Sequence, residues 1–162
     1  MSRVGIGYDS HRFAPGGPLI LAGISIPFDF SLAGHSDGDA VAHAVTDAIL
    51  GATALGDIGE MFPDTDPAFQ GANSIEMLRA AVSRASAAGF AVVNADIVII
   101  TVTPKIGPYR EAMRSSLGEV LGVSMNEVSV KGKTNERMGW IGRGEGLACI
   151  AIVSVSRRSG TA

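Results

Sequence analysis

Residues His35–Leu50 read HSDGDAVAHAVTDAIL and hold two of the three histidines in the 162-residue chain. From Asp39 onward Val41, Val45, Ala48, Ile49 and Ala52 recur at helical spacing, which predicts a helix with one face in the core. Asp39, His43 and Asp47 stand four apart and share another face, so a carboxylate–imidazole–carboxylate stripe runs along an otherwise apolar helix. Ser36 or Asp37 can cap this helix by accepting backbone N–H bonds, and Asp37 and Asp39 complement the positive end of its dipole. Capping accounts for those aspartates without invoking chemistry.

A lone helical histidine is more often a satisfied core or surface residue than a ligand, but the third histidine shifts that balance for His43. In GIGYDSHR, Gly5–Arg12, the alternation of Val4 and Ile6 predicts a strand that puts Asp9 and His11 on one side. Strand and helix together can present Asp9, His11 and His43 to a single cation. Two imidazoles and a carboxylate suit zinc, and three protein ligands leave a fourth position open, as catalytic zinc requires. An open position points to chemistry on an oxygen-bearing substrate.

Lys plus Arg number 13 against 16 Asp plus Glu, a net charge of −3 that gives no electrostatic footprint for nucleic acid or an anionic membrane. An anionic substrate must therefore be held by local donors. The single Cys149 cannot form an intrachain disulfide, and there is neither a basic-then-apolar leader nor an apolar run long enough to span a bilayer. The expectation is a soluble, cytoplasmic protein. Its length suits one catalytic domain over residues 1–158, with 159–162 as a frayed tail and fraying expected from Arg157 onward.

Taken in order, the opening strand leads through APGGP into LILAGISIPF, a hairpin turning at Ala22–Gly23 and expected to be peripheral. After the His35 helix, the glycines, prolines and acids of GATALGDIGEMFPDTDPAF forbid a long regular element, and each Asp there can also be an ordinary turn residue. Asn73 or Ser74 caps a second helix with Glu76 completing a capping box, Ile75, Leu78 and Val82 facing inward, and Gly89 closing it. Phe90–Val102 predicts a strand buried on both faces, and a helix from Pro108 to Gly122 buries Met113, Leu117 and Leu121. VSVKGK and LACIAIVSVS supply the last two strands, the latter apolar on both faces through Val153. The glycine-rich run between them fails both the P-loop and the dinucleotide fingerprint. The fold class is an α/β (α+β) sandwich: a small mixed sheet with helices on one face. Strands apolar on both sides need the other face covered too, and with no helices left the cover must be another copy of the chain.

These residues give the chain its resemblance to the 2-C-methyl-D-erythritol 2,4-cyclodiphosphate synthases, the cyclising enzymes of the non-mevalonate isoprenoid pathway. The resemblance runs nearly end to end through Gly7-x-Asp9-x-His11, HSDGD at His35 with His43 beyond it, LGDIG at Leu55, FPDTDP at Phe62, Pro104-Lys105 and GRGEG at Gly142. It implies a phosphorus–oxygen lyase and a homotrimer whose sheets face the threefold axis, with active sites between subunits. The implied reaction is intramolecular: the 2-phosphate of 4-diphosphocytidyl-2-C-methyl-D-erythritol 2-phosphate attacks the β-phosphorus and CMP leaves, with no protein nucleophile.

By the same resemblance, Asp9, His11 and His43 bind one zinc per chain, and Glu136 holds magnesium or manganese with the substrate. His35 and Thr134 steady the transition state. Asp57, Ile58, Gly59, Phe62, Pro63, Asp64, Thr65 and Asp66 line the methylerythritol pocket, and Ser36 and Asn135 are further substrate-binding residues. Thr101, Val102, Thr103, Pro104, Lys105, Ile106, Gly107 and Lys133 border the cytidine. Trp140 and Arg143 complete the set and, in some relatives, serve an axial cavity for an isoprenoid diphosphate. Val102 stands where the family often carries glutamine, and Lys133 stands where small, threonine-rich residues are usual. Two other readings of the metal ligands stay open: a zinc-dependent phosphoester hydrolase, whose product would be linear, and a non-catalytic trimeric module with structural zinc.

Overall fold

A computed structural model describes residues 2–158. In chain order the elements are β1 (Ser2–Pro15), β2 (Leu19–Leu21), β3 (Ile24–Ile26), β4 (Phe30–Leu32), α1 (Ala40–Thr53), α2 (Ile58–Met61), α3 (Ser74–Ala87), β5 (Phe90–Ile100), α4 (Arg110–Leu121), β6 (Val128–Lys133), α5 (Gly139–Gly142) and β7 (Gly146–Arg157). Five strands form a mixed sheet in the order β4-β1-β7-β5-β6, with only β5 and β6 parallel, and β2 and β3 form a separate hairpin. Helices α1, α3 and α4 pack on one face of the sheet.

Gly5 and Gly7 set how closely that layer approaches. A Cβ on Gly5 would lie 2.0 Å from the Ala48 carbonyl oxygen, and one on Gly7 would lie 1.8 Å from that of Ala44. The backbone of α1 therefore rests directly on β1, which only glycine on the strand and alanine on the helix permit. Because side chains alternate, the helix-facing side of β1 reads Gly5, Gly7, Asp9, His11. Two gaps admit the helix, and the two polar side chains, Asp9 and His11, follow beside its first turns.

On the opposite side of β1, Val4, Ile6 and Tyr8 are 66%, 68% and 56% exposed, and Ile152, paired with Ile6, is 44% exposed. The alternation that predicts the strand is correct, yet its apolar residues point away from the helices. The two-sided burial expected of β5 and β7 is likewise met on one face of a single chain. Ile97 and Ile99 are fully buried, whereas Val98 and Ile100 are half-buried.

Three local expectations are corrected. The α1 N-cap is Asp39 rather than Ser36 or Asp37: its carboxylate accepts from Val41 N at 3.1 Å and Ala42 N at 3.0 Å, and also from Ala22 N at 2.9 Å and Gly23 N at 2.7 Å. That second pair ties the β2–β3 turn to α1, so the hairpin is not peripheral, and Leu19, Leu21 and Ile26 are fully buried. Arg157 belongs to β7, where it pairs with Phe90, and Arg158 N donates to Gly89 O at 2.9 Å. The expected tail 159–162 lies outside the described residues. Elsewhere Asn73 caps α3 through Ile75 N and Glu76 N, and Gly122 ends α4 in the left-handed conformation at φ 69°. Among the described residues no helix is long and apolar enough to cross a membrane.

Candidate metal centre and active site

Asp9 and His11 stand on β1 and His43 stands one turn into α1, where the thin Gly–Ala contact brings strand and helix together. Each offers one ligand atom, and the three atoms lie within 4.8 Å of one another. Asp9 Oδ2 is 2.8 Å from His11 Nε2 and 3.1 Å from His43 Nδ1. His11 Nδ1 lies 2.6 Å from the Ala33 carbonyl, which can only accept, so the ring proton belongs on Nδ1 and Nε2 carries a lone pair. His11 Nε2 is buried and, although close to Asp9, makes no properly angled hydrogen bond. A lone pair that faces a carboxylate oxygen at this distance calls for a cation between them. A divalent metal fits that donor set.

The electrostatics agree. Burial pushes the Asp9 carboxyl up, but hydrogen bonds and charge from His11 and His43 outweigh it and leave Asp9 below the usual range. The Asp9 carboxylate 2.8 Å away raises His11 above its ordinary value against the opposing effect of burial, so the site favours positive charge whether a proton or a metal supplies it. Of the remaining stripe on α1, Asp39 is fully committed to backbone N–H groups. Asp47 accepts from Ile58 N at 2.7 Å, and burial raises its pKa. It thereby holds the start of α2 beside the metal ligands.

A cavity of about 350 Å³ opens on the triad. Its lining brings together the expected His35, Ser36, Ile58, Gly59, Phe62, Pro63 and Asp64 with Asp9, His11 and His43. Asp57 instead caps α2 through Glu60 N, and Asp66 caps a 3₁₀ turn through Ala68 N, so both shape the loop without lining the cavity; Thr65 is exposed between them. Phe69 and Met77 line it too and were not expected. The readable signal for Phe69 was a second aromatic beyond FPDTDP, and it meets Phe62 edge-on at 5.3 Å. Met77 had none beyond its place on the inner face of α3.

A second cavity, of about 300 Å³, gathers Thr101, Pro104, Lys105, Ile106, Gly107, Lys133 and Thr134, with Pro108, Arg110 and Gly132 added. It shares no lining residue with the first. Val102 and Thr103 are on the same segment but not in its lining, although the Thr103 carbonyl accepts from Thr101 Oγ1 at 2.5 Å. Arg110, missed in the sequence, supplies a third cation there; it is the first residue of α4, and the expected start at Pro108 is instead a 3₁₀ turn over Gly107–Tyr109. Asn135 donates to Met138 O at 3.0 Å, and Glu136, in the left-handed region at φ 48°, accepts from Thr134 Oγ1 at 2.9 Å. Neither is gathered with the metal triad in one chain. Trp140 lines a further cavity, of about 630 Å³, which meets the triad only through His11; Arg143 pairs with Glu145 at 2.6 Å beside it.

A family model described as the YgbB family matches residues 2–156. The chain belongs to the YgbB family. Its relatives include a 2-C-methyl-D-erythritol 2,4-cyclodiphosphate synthase of Gemmatimonas aurantiaca, 66% identical over 153 residues that cover 94% of this chain and 92% of the relative. A synthase of the same name from Laribacter hongkongensis is 54% identical, covering 96% of each chain. A solved structure of a 2C-methyl-D-erythritol-2,4-cyclodiphosphate synthase in a CDP-bound form superposes with a TM-score of 0.87 at 39% identity, covering 95% of this chain and all of the other. The bifunctional IspDF of Campylobacter jejuni superposes with a TM-score of 0.93 at 42% identity; the match covers 97% of this chain, which spans only 42% of that protein.

Proposed function

We propose that this YgbB-family chain cyclises 4-diphosphocytidyl-2-C-methyl-D-erythritol 2-phosphate to 2-C-methyl-D-erythritol 2,4-cyclodiphosphate and releases CMP. The observation that carries the reading is the convergence of Asp9, His11 and His43 on a cavity lined by the HSDGD and FPDTDP segments, in a chain 66% identical to a synthase of that name. An oxygen of the 2-phosphate attacks the β-phosphorus while the bond from that phosphorus to the bridging oxygen of the CMP portion breaks. One P–O bond forms and one is lost, so no protein nucleophile is required.

Asp9, His11 and His43 would hold zinc, and Glu136 would hold magnesium or manganese with the substrate. Bound divalent cations supply charge neutralisation and polarisation of phosphoryl oxygens. The chain's own groups do the positioning. His35 and Ser36 border the cavity beside the triad, Ile58 and Gly59 offer backbone at the α2 start that Asp47 holds, and Phe62 with Phe69 forms an apolar wall. Lys105, Arg110 and Lys133 gather positive charge at the second cavity, suited to a nucleotide diphosphate on a chain whose net charge is −3. Thr134 lies at the rim of that cavity and beside Glu136. Holding the two anionic groups in line supplies much of the rate.

The reading includes a homotrimer that buries Val4, Ile6, Tyr8 and Ile152 and joins the metal cavity of one copy to the cationic cavity of the next. The support is the exposed apolar sheet face together with the separation of the two cavities within one chain. A cytoplasmic site of action accords with a buried, unpaired Cys149. The experiment is incubation of purified protein with the substrate and a divalent metal, followed by phosphorus NMR and mass analysis. CMP with a cyclic diphosphate is expected; a linear product would instead establish the zinc hydrolase.

A further inference from the structure

We propose that Asp37, acting through the hydroxyl of Ser74, fixes the tautomer and aim of His43 and thereby makes it a metal ligand. The proposal rests on the metal-site reading above. Asp37 and Ser74 are positioning residues, since neither touches the metal position or the substrate cavity.

Ser74 is fully buried at the start of α3, with Asp37 Oδ1 in close contact, His43 Nε2 at 2.8 Å and Ser36 Oγ at 3.3 Å. A hydroxyl has one proton to give, and a carboxylate can only accept. The Ser74 proton therefore goes to Asp37, and the lone pairs of Ser74 Oγ face His43. His43 Nε2 must then be the N–H of the ring, donating to Ser74 and, at 3.1 Å, to Ser36 Oγ. In the neutral ring this leaves the lone pair on Nδ1, which belongs to the triad; that atom lies 3.1 Å from Asp9 Oδ2, so the relay holds the Nε2–H form against a competing Nδ1–H···Oδ2 bond that a bound cation replaces. His11 reaches the same state by another route, with the backbone carbonyl of Ala33 taking its Nδ1 proton. Both ligands are thus presented proton-free by a partner on the far side of the ring.

The relay is held in place independently of the metal. Gly71 N donates to His35 O at 2.8 Å and Asp37 N donates to Ala72 O at 3.2 Å, which joins the HSDGD segment to the residues leading into α3. Ser74 N donates to Asp37 Oδ2 at 3.1 Å and locks the carboxylate. Ordinary helix capping leaves the Ser74 hydroxyl unexplained, because Asn73 already accepts from Ile75 N and Glu76 N. Asp37→Asn sharpens the argument. An amide can donate to Ser74, which frees the serine proton for His43 Nε2 and turns a ring N–H toward the metal position.

Two measurements test this. In metal-free wild-type protein labelled with ¹⁵N-histidine, at alkaline pH, long-range ¹H–¹⁵N correlations should show His43 as the Nε2–H tautomer. An Nδ1–H signature would overturn the proposal whatever the variants do. Zinc affinity, measured by competition with a chelating dye, should fall about 10–100-fold in Ser74→Ala and in Asp37→Asn and stay within about threefold in Ser74→Thr, which keeps the hydroxyl. Folded variants that bind zinc as tightly as wild type, with only a lowered melting temperature, would make Asp37 and Ser74 plain structural residues and overturn it. A wild-type chain that bound no zinc would defeat the metal-site reading instead, while the tautomer spectrum would still decide the relay.

Discussion

Glu136 and Cys149 show two ways in which a single side chain answers to its surroundings. Glu136 is exposed, shares a hydrogen bond only with Thr134 Oγ1, and sits in a left-handed turn that projects it from the end of β6. A hard cation that keeps most of its waters needs little more than such a carboxylate plus phosphate oxygens. Glu136→Gln should therefore abolish most turnover and flatten the magnesium titration while zinc content by metal analysis stays at the wild-type level; lost zinc would move Glu136 into the other site. Cys149 is buried in β7, and burial pushes its thiol well above the ordinary 9.0. The sign follows: a thiol kept neutral by the fold contributes stability that is fully present below the unfolded value and is lost as pH climbs through the raised folded one. Urea midpoints should hold up to about pH 9 and then decline, and a thiol reagent at about pH 8.5 should label the native chain far more slowly than the unfolded one.

At the scale of elements, the contact of α1 with β1 is the joint on which the metal ligands depend. Gly7→Ala would drive a methyl into the Ala44 carbonyl, and backbone cannot swing aside as a flexible side chain can. The loss should be about 3 kcal/mol or more in urea unfolding, at the upper end for overpacking, and zinc affinity should fall with it because Asp9 and His43 separate. Gly51, also in α1, has only Ile6 O at 4.0 Å from a built Cβ, so Gly51→Ala should raise stability by about 0.5–1 kcal/mol. Opposite outcomes from two glycines in one contact make the pair self-controlled. The sequence announced this joint only partly. The spacing of Val41, Val45 and Ile49 showed the helix, and Asp9-x-His11 showed two ligands on one side of a strand. That Gly5 and Gly7 share that side, with Val4 and Ile6 facing away, depends on which face the helices cover, and alternation alone does not say. The hairpin was legible to its turn residues, yet its importance was not, because Asp39 reaches Ala22 and Gly23 across 16 or 17 positions. The Ser74 contact to His43, 31 positions apart, was hidden for the same reason.

For the whole molecule the question is what covers the open face of the sheet. Val4, Ile6 and Tyr8 on β1, beside Ile150 and Ile152 on β7, form an apolar strip that a second copy can cover. The cavity beside Asp9, His11 and His43 and the cavity with Lys105, Lys133 and Thr134 stand apart within one chain, which suits a site completed across subunits. A sedimentation mass near three times the 16.6 kDa chain mass is expected, and complementation then asks whether the site is shared. A His43→Ala chain and a Lys105→Ala/Thr134→Ala chain should each be nearly inactive alone. In a mixed cyclic trimer, one kind of junction joins an intact metal half to an intact cationic half, whereas the reverse junction carries both defects. Tandem purification of differently tagged, co-expressed variants removes the homotrimers, and each mixed trimer has one junction of its three that pairs two intact halves, so the isolated protein should regain roughly a third of wild-type CMP release. The comparison is a mixture of the separately prepared homotrimers, which has no such junction. Recovery no greater than in that mixture, with every variant folded and trimeric, would place each active site within a single chain and leave the apolar strip a purely structural interface.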